Sequence, residues 1–363
     1  MANRTAAKRQ NHCRLSGARP SAGGITLRVR PVSKGRPISM DFSNIAIALC
    51  KLFSLLIVGY FLNKKKILDS HINTGLSALL LNATNPALIL SSLGATGGVA
   101  KGDVSKLLVF GLCFYIMLPI IAWIVVHLLR IKPSKRSIAQ LLIIFSNTGF
   151  MAIPILQTLY GDVSVFYSNI LNLPFNFLFF SYGVYLINRE TVAATIDKSG
   201  SAAVNATAPV GRRLNWRKFI NPGIVASAIA LLLYFCNIQL PKVATETFSF
   251  LGNMTPPLSM IILGSVLAEY PLSSIFKDLK INLMLVLKQL LLPVVATILA
   301  HLVFTDPVIT GIITLTFAMP CATMTVMLSK EYKSDTLTAS AGVVFTTVLS
   351  LITIPIAFVL FVL

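Results

Sequence analysis

The sequence predicts an all-α integral membrane protein of ten transmembrane helices, arranged as two inverted five-helix repeats with broken, crossing fourth and ninth helices. Three observations carry that prediction. Hydrophobic residues make up 55% of the 363 and charged residues only 12%, with a mean hydropathy of +0.79, far outside the range of a soluble domain of this length. The apolar residues gather into ten runs of about 20, the length that crosses a hydrocarbon core at helical rise. The string Asn-x-Thr-x-Pro also occurs twice inside those runs, at Asn82 and at Asn253.

In chain order the runs fall at 44–63, 72–93, 106–129, 137–160, 163–187, 220–238, 247–268, 281–304, 307–329 and 336–361. Those at 137–160, 163–187, 307–329 and 336–361 contain no Asp, Glu, Lys or Arg. The loops on one side of the membrane carry seventeen Lys and Arg, including "NKKK" at Asn63, "RIKPSKR" at Arg130 and "GRRLNWRK" at Gly211. The opposite loops carry three, Lys101, Lys106 and Lys242. Because positive loops stay cytoplasmic, both termini are expected outside a plasma (bacterial inner) membrane, with the longest loop inside. The chain then divides into a basic extension at 1–39 expected to be disordered, a first repeat at 40–187, a cytoplasmic linker at 188–219 and a second repeat at 220–363.

The extension conflicts with that orientation, since its nine Lys and Arg are unaccompanied by any acid. It reads as an upstream segment with synthesis starting at Met40, as a targeting peptide, or as a cytoplasmic basic arm. The complete span start "MDFSNIAIALCKLF" favours the first.

Other residues agree between the halves. The first span ends in "GYFLN" and the sixth in "LYFCN"; the fourth carries "MAIP" and the ninth "FAMP". Five spans per copy force the second copy to enter the membrane from the opposite face, the arrangement of alternating-access carriers. Pro154 and Pro320 then fall near mid-membrane, where each frees backbone groups of its helix and marks the expected break. Half-helix N-termini at such a break, each equivalent to about half a positive charge, suit an anion.

Polar residues near the breaks are the candidate substrate contacts: Ser146, Asn147 and Thr148 on one side, Thr314, Thr316, Thr323 and Thr325 on the other. Each threonine taken singly suits bonding to its own helix carbonyls instead. Asn82 and Asn253 are candidate substrate or ion contacts, or else satisfy backbone freed by Pro86 and Pro257. Lys51 and Lys288 lie inside spans, where a lysine near a helix end ordinarily snorkels to the interface; Lys288 is also a candidate ion or substrate contact.

The five cysteines and four histidines form no metal-ligand or disulfide spacing, and neither a Gly-rich phosphate loop nor a Ser-His-Asp order is present, so no metal, cofactor or enzymatic chemistry is expected. The net charge of +19 sits in loops and in the extension, which points to membrane topology and away from nucleic acid.

From Asp41 to Leu363 the chain resembles the auxin efflux carrier family, within the superfamily of bile acid, arsenite and riboflavin transporters. The residues that carry the likeness are "SNTGFMAIPILQTLYGD" at Ser146, "NPGIVASAIALLL" at Asn221, "PPLSMIILGSVL" at Pro256 and "AMPCATMTVMLSKEYKSDTLTASAGVVF" at Ala318. The resemblance implies that the fourth and ninth helices cross at Pro154 and Pro320, that Asn147 contacts substrate, and that a homodimer forms. It implies a small organic acid as cargo, auxin in plants and dicarboxylates such as malate or malonate in bacterial relatives. The short central loop, and the loose match of Asp103 and Lys106 to the family's acid and base, resemble compact bacterial carriers more than plant ones. The function expected is a secondary-active or facilitative carrier of a mono- or dicarboxylate in the lipid bilayer, with a proton or sodium as candidate coupling ion. An anion channel or a solute-sensing membrane protein is the alternative.

Overall fold

The computed structural model describes residues 42–189, 222–270 and 278–361, and all regular structure in them is helical. The extension 1–39, and the linker 188–219 beyond its first two residues, lie outside the described residues. The helices are α1 (Phe42–Lys64), α2 (Ser70–Ala95), α3 (Lys101–Leu128), α4 (Arg136–Ile144), α5 (Ile153–Tyr160) and α6 (Asp162–Arg189). They continue as α7 (Pro222–Phe235), α8 (Lys242–Ala268), α9 (Leu279–Val303), α10 (Pro307–Ala318), α11 (Thr323–Glu331) and α12 (Thr336–Phe361). Among the described residues α2, α3, α6, α8, α9 and α12 are each long and apolar enough to cross a membrane. Ile116, Ile120, Trp123, Phe250 and Ile352 stand exposed on the outer surface, as they do when the solvent is lipid. The chain is a multi-pass integral membrane protein.

Starts of several helices lie just outside the apolar runs and are capped by acids. Asp69 accepts from the Ile72 N–H at 2.8 Å, and Asp306 from the Val308 N–H at 2.8 Å. Asp278 caps α9 and pairs with Lys135 at 3.0 Å, tying the start of α9 to the start of α4. Partial burial raises its carboxyl, and the hydrogen bonds from Lys135 and the Ile281 N–H outweigh this and hold it below the usual range.

Each Asn-x-Thr-x-Pro string disturbs its helix without ending it. In α2 it makes a wide turn at Leu80–Thr84, and in α8 a tight one just before Thr255. The following prolines occupy first-turn positions of the resumed helix, where a missing N–H costs nothing. The two strings meet where the helices cross. Thr255 Oγ1 donates to Thr84 Oγ1 at 3.0 Å, and both threonines are wholly buried. Beside them the backbones touch, since a Cβ on Gly252 would lie 2.6 Å from Leu88 Cα. Small residues bring α1 equally close to α8, through Gly59 and Gly264. A double-mutant cycle of Thr84→Val and Thr255→Val, read by thermal unfolding in detergent, should return a coupling of about 0.6 kcal/mol, the size usual for such bonds in membrane proteins.

The other helices, α3 to α6 and α9 to α12, pack around an aromatic core. Phe114 lies on Phe317 with ring centres 4.2 Å apart, and Phe145 meets Phe179 edge-on at 4.9 Å.

Candidate functional site

The helix of α4 ends at Ile144, Phe145 is extended, and helical turns resume at Thr148. The helix of α10 ends at Ala318, Met319 is extended, and α11 begins at Thr323. The two short extended stretches cross and pair antiparallel at Ser146 and Cys321. The Asn147 N–H donates to the Pro320 carbonyl at 2.7 Å, and the Ala322 N–H to the Phe145 carbonyl at 2.9 Å. Each interruption thus satisfies the backbone groups that the other leaves free, which permits non-helical backbone inside an apolar protein. The Cys321 N–H is taken up by Thr346 Oγ1 at 3.0 Å, and the Cys321 thiol reaches the Leu142 carbonyl at 3.0 Å.

This geometry corrects one expectation. Pro320 sits at its interruption, but Pro154 does not: it is buried in the first turn of α5, beyond the wide turn Thr148–Ala152. The residue that pairs with Cys321 at the crossing is Ser146, eight residues before Pro154. A proline at a helix start loses no hydrogen bond, so Pro154 stabilises the second half-helix without breaking the first.

Lys288 gives the second correction. Instead of snorkelling to the interface, its side chain is only 5% exposed and runs inward to the crossing. Its Nζ donates to Ser146 Oγ at 3.0 Å and to the Met319 carbonyl at 2.6 Å. The adjacent Gln289 donates its Nε2 to the Ala318 carbonyl at 3.0 Å. Both side chains serve the carbonyls that the end of α10 leaves without helical partners, where a cation also faces the negative end of the helix. Lys51, by contrast, is exposed as expected.

A cavity of about 240 Å³ opens against the crossing and is bounded there by Ser146 to Phe150 and by Ala322. Asn147 caps the half-helix that leads into α5: its Oδ1 accepts from the Phe150 N–H at 3.4 Å. That bond turns Nδ2 the other way, and Nδ2 is buried without a partner. Two unused N–H groups at the positive end of a helix, beside a cavity, form an anion-binding arrangement.

The remaining candidates divide. Thr148 and Asn82 line this cavity, although the Asn82 Nδ2 already donates to the Ala78 carbonyl one turn back. Asn253 is exposed elsewhere, with its Nδ2 3.4 Å from Ser249 Oγ. Thr323 lines a second cavity of about 210 Å³ with Asn73 and Glu269, and Phe150 borders both. Thr314 and Thr316 bond the carbonyls of Thr310 and Ile312 in their own helix. Asp103 and Lys106 approach only to 4.0 Å on the exposed start of α3.

Sequence reading missed three wall residues, Asn169, Asn172 and Asn176 of α6. Their spacing of three and four places one polar stripe on an otherwise apolar helix, and that was the available signal. Among the described residues no group of three or more His, Cys, Asp or Glu could hold a metal ion.

Residues 44–358 match the family described as membrane transport protein. None of the curated proteins matches the chain.

Proposed function

The chain belongs to the membrane transport protein family, that of the auxin efflux carriers and the bile, arsenite and riboflavin transporters, and from that premise we propose a carrier of a small organic anion, a mono- or dicarboxylate of malate or malonate type. One observation carries this reading: Asn147, a residue of the cavity wall at the head of a half-helix, keeps its Nδ2 buried and unpartnered. A carboxylate supplies the acceptors that those N–H groups lack, and the helix end favours its charge. The contacts proposed are Ser146, Asn147 and Thr148 with the backbone at Pro320, while Asn82 borders the path.

The proposed carrier works by alternating access between two inverted five-span repeats, with α4–α5 and α10–α11 as the fourth and ninth spans. Supporting this, Thr84 and Thr255 hold the same place in their strings and bond to each other, as equivalent residues do beside the axis that relates two repeats. Partners are also exchanged between the halves: α1 packs on α8 and α7 on α2. The loop charges support a plasma-membrane orientation with both termini outside and the linker 188–219 cytoplasmic. A proton or sodium as coupling ion, and a homodimer, belong to the same proposal.

The test is flux into liposomes holding the purified protein, over a panel of labelled mono- and dicarboxylates. Saturable uptake of one or a few acids is the expected result. Uptake that rises without saturation indicates a channel, and no uptake of any acid refutes the anion reading.

A further inference from the structure

Lys288 has no part in the reading above, yet among the described residues it is the one formally cationic side chain seated at the crossing. Among the described residues no carboxylate pairs with it in a salt bridge. Its contacts are polar but uncharged: Ser146 Oγ at 3.0 Å and the Met319 carbonyl at 2.6 Å. A buried ammonium without a counter-charge is costly, and a bound anion at this place offsets that cost.

The hydrogen-bond roles go further. A lysine ammonium only donates, so the Ser146 oxygen accepts from it and the serine proton must point elsewhere. Among the described residues that proton finds no acceptor in the protein, and Ser146 lies on the cavity wall beside Asn147. Asn147 is oriented by the same logic, because the Phe150 N–H takes its oxygen and leaves Nδ2 free. The crossing therefore presents two neighbouring donor groups, and each is held in that role by a donor behind it.

Resting on the carrier reading, we propose that Lys288 is the specificity-determining residue of the site: acting through Ser146, it fixes a donor-only pair that accepts a carboxylate and rejects a neutral amide of the same shape. A carboxylate brings two acceptor oxygens to two donors. A carboxamide brings one oxygen and an NH2 group, so one donor of the site would face another donor. Leaving a buried polar group unpaired in this way is what makes such rejection strong. Lys288 is a positioning residue in this scheme, since Ser146 stands between it and the solute.

The test uses the purified full chain in detergent and a panel of acids from acetate to malate, each beside its amide. The readout is the concentration of each giving half-maximal thermal stabilisation. The wild type should prefer acid to amide by about 100-fold, and Lys288→Gln should reduce that preference by about tenfold or more. Lys288→Arg, which keeps a donating cation, should retain most of the preference. Ser146→Ala leaves the lysine bonded to Met319 and removes one of the two donors itself, so it should fall with Lys288→Gln; an unchanged preference in Ser146→Ala overturns the proposal even if Lys288→Gln does not fold. Acid binding whose preference over the amide survives Ser146→Ala and Lys288→Gln unchanged overturns the role of Lys288 and leaves the carrier reading intact. If no acid in the panel stabilises the wild type, both are overturned.

Discussion

Asn147→Asp is expected to abolish carboxylate flux while the protein stays folded. The side chain has two jobs that point in opposite directions. Its Oδ1 caps the half-helix by accepting from the Phe150 N–H, and its Nδ2 is left unpartnered in the cavity wall. Aspartate performs the first job as well as asparagine, and its charge suits a helix N-terminus. It fails at the second, since it replaces a donor by a negative oxygen where the solute carboxylate must sit. Asn147→Ala loses both jobs. Removing a hydrogen bond to a charged group costs about 1.5–3 kcal/mol, which is roughly 10- to 150-fold in affinity, and the missing cap costs about 1 kcal/mol of stability. Flux and thermal unfolding measured side by side therefore separate the roles. An Asn147→Asp protein that transports normally would remove Asn147 from the substrate site.

Gly264→Val should prevent the folded protein from accumulating. A Cβ at this position would lie 1.8 Å from the Leu56 carbonyl oxygen and 3.0 Å from the Tyr60 nitrogen, so it meets backbone of α1 that cannot rotate away. Gly59 on the facing helix is as tight, with a Cβ falling 2.0 Å from the Ile261 oxygen. Relief requires α1 and α8 to separate along their contact, which forfeits the packing that holds helices together in lipid. The cost should exceed about 4 kcal/mol, large against ordinary marginal stability. Gly102 is the control: an added Cβ meets nothing within 4 Å, and alanine is the better helix former, so Gly102→Ala should be neutral or slightly stabilising. The comparison is read from the monodisperse fraction after detergent extraction. Wild-type yield from Gly264→Val would mean that α1 and α8 do not pack as described.

Much of this was legible in the sequence because the period and length of apolar runs are local properties. The Asn-x-Thr-x-Pro strings stood out in the sequence, but that they meet, through Thr84 and Thr255, depends on packing between distant segments. Asn147 stood out through its place before an expected break, and the structure sets it at the crossing. What the sequence hid depends on contacts between distant segments. Pro154 looked like the breaking residue, but the helix of α4 stops earlier because Phe145 and Asn147 exchange hydrogen bonds with Ala322 and Pro320 across the crossing. Lys288 looked like an interfacial lysine because the acceptors that draw it inward, Met319 and Ser146, come together only once both helices are interrupted. The tight glycines were invisible for the same reason: nothing in a sequence tells Gly264, pressed on a backbone, from Gly102 in open space.

The most direct test of a carrier with its site at the crossing is counterflow. Liposomes holding the protein are loaded with an unlabelled acid and placed in a trace of the same acid labelled. A carrier binding at Asn147 should accumulate label inside transiently above its outside concentration, and Asn147→Asp should not. Label that only equilibrates, or counterflow that Asn147→Asp leaves untouched, would contradict the account.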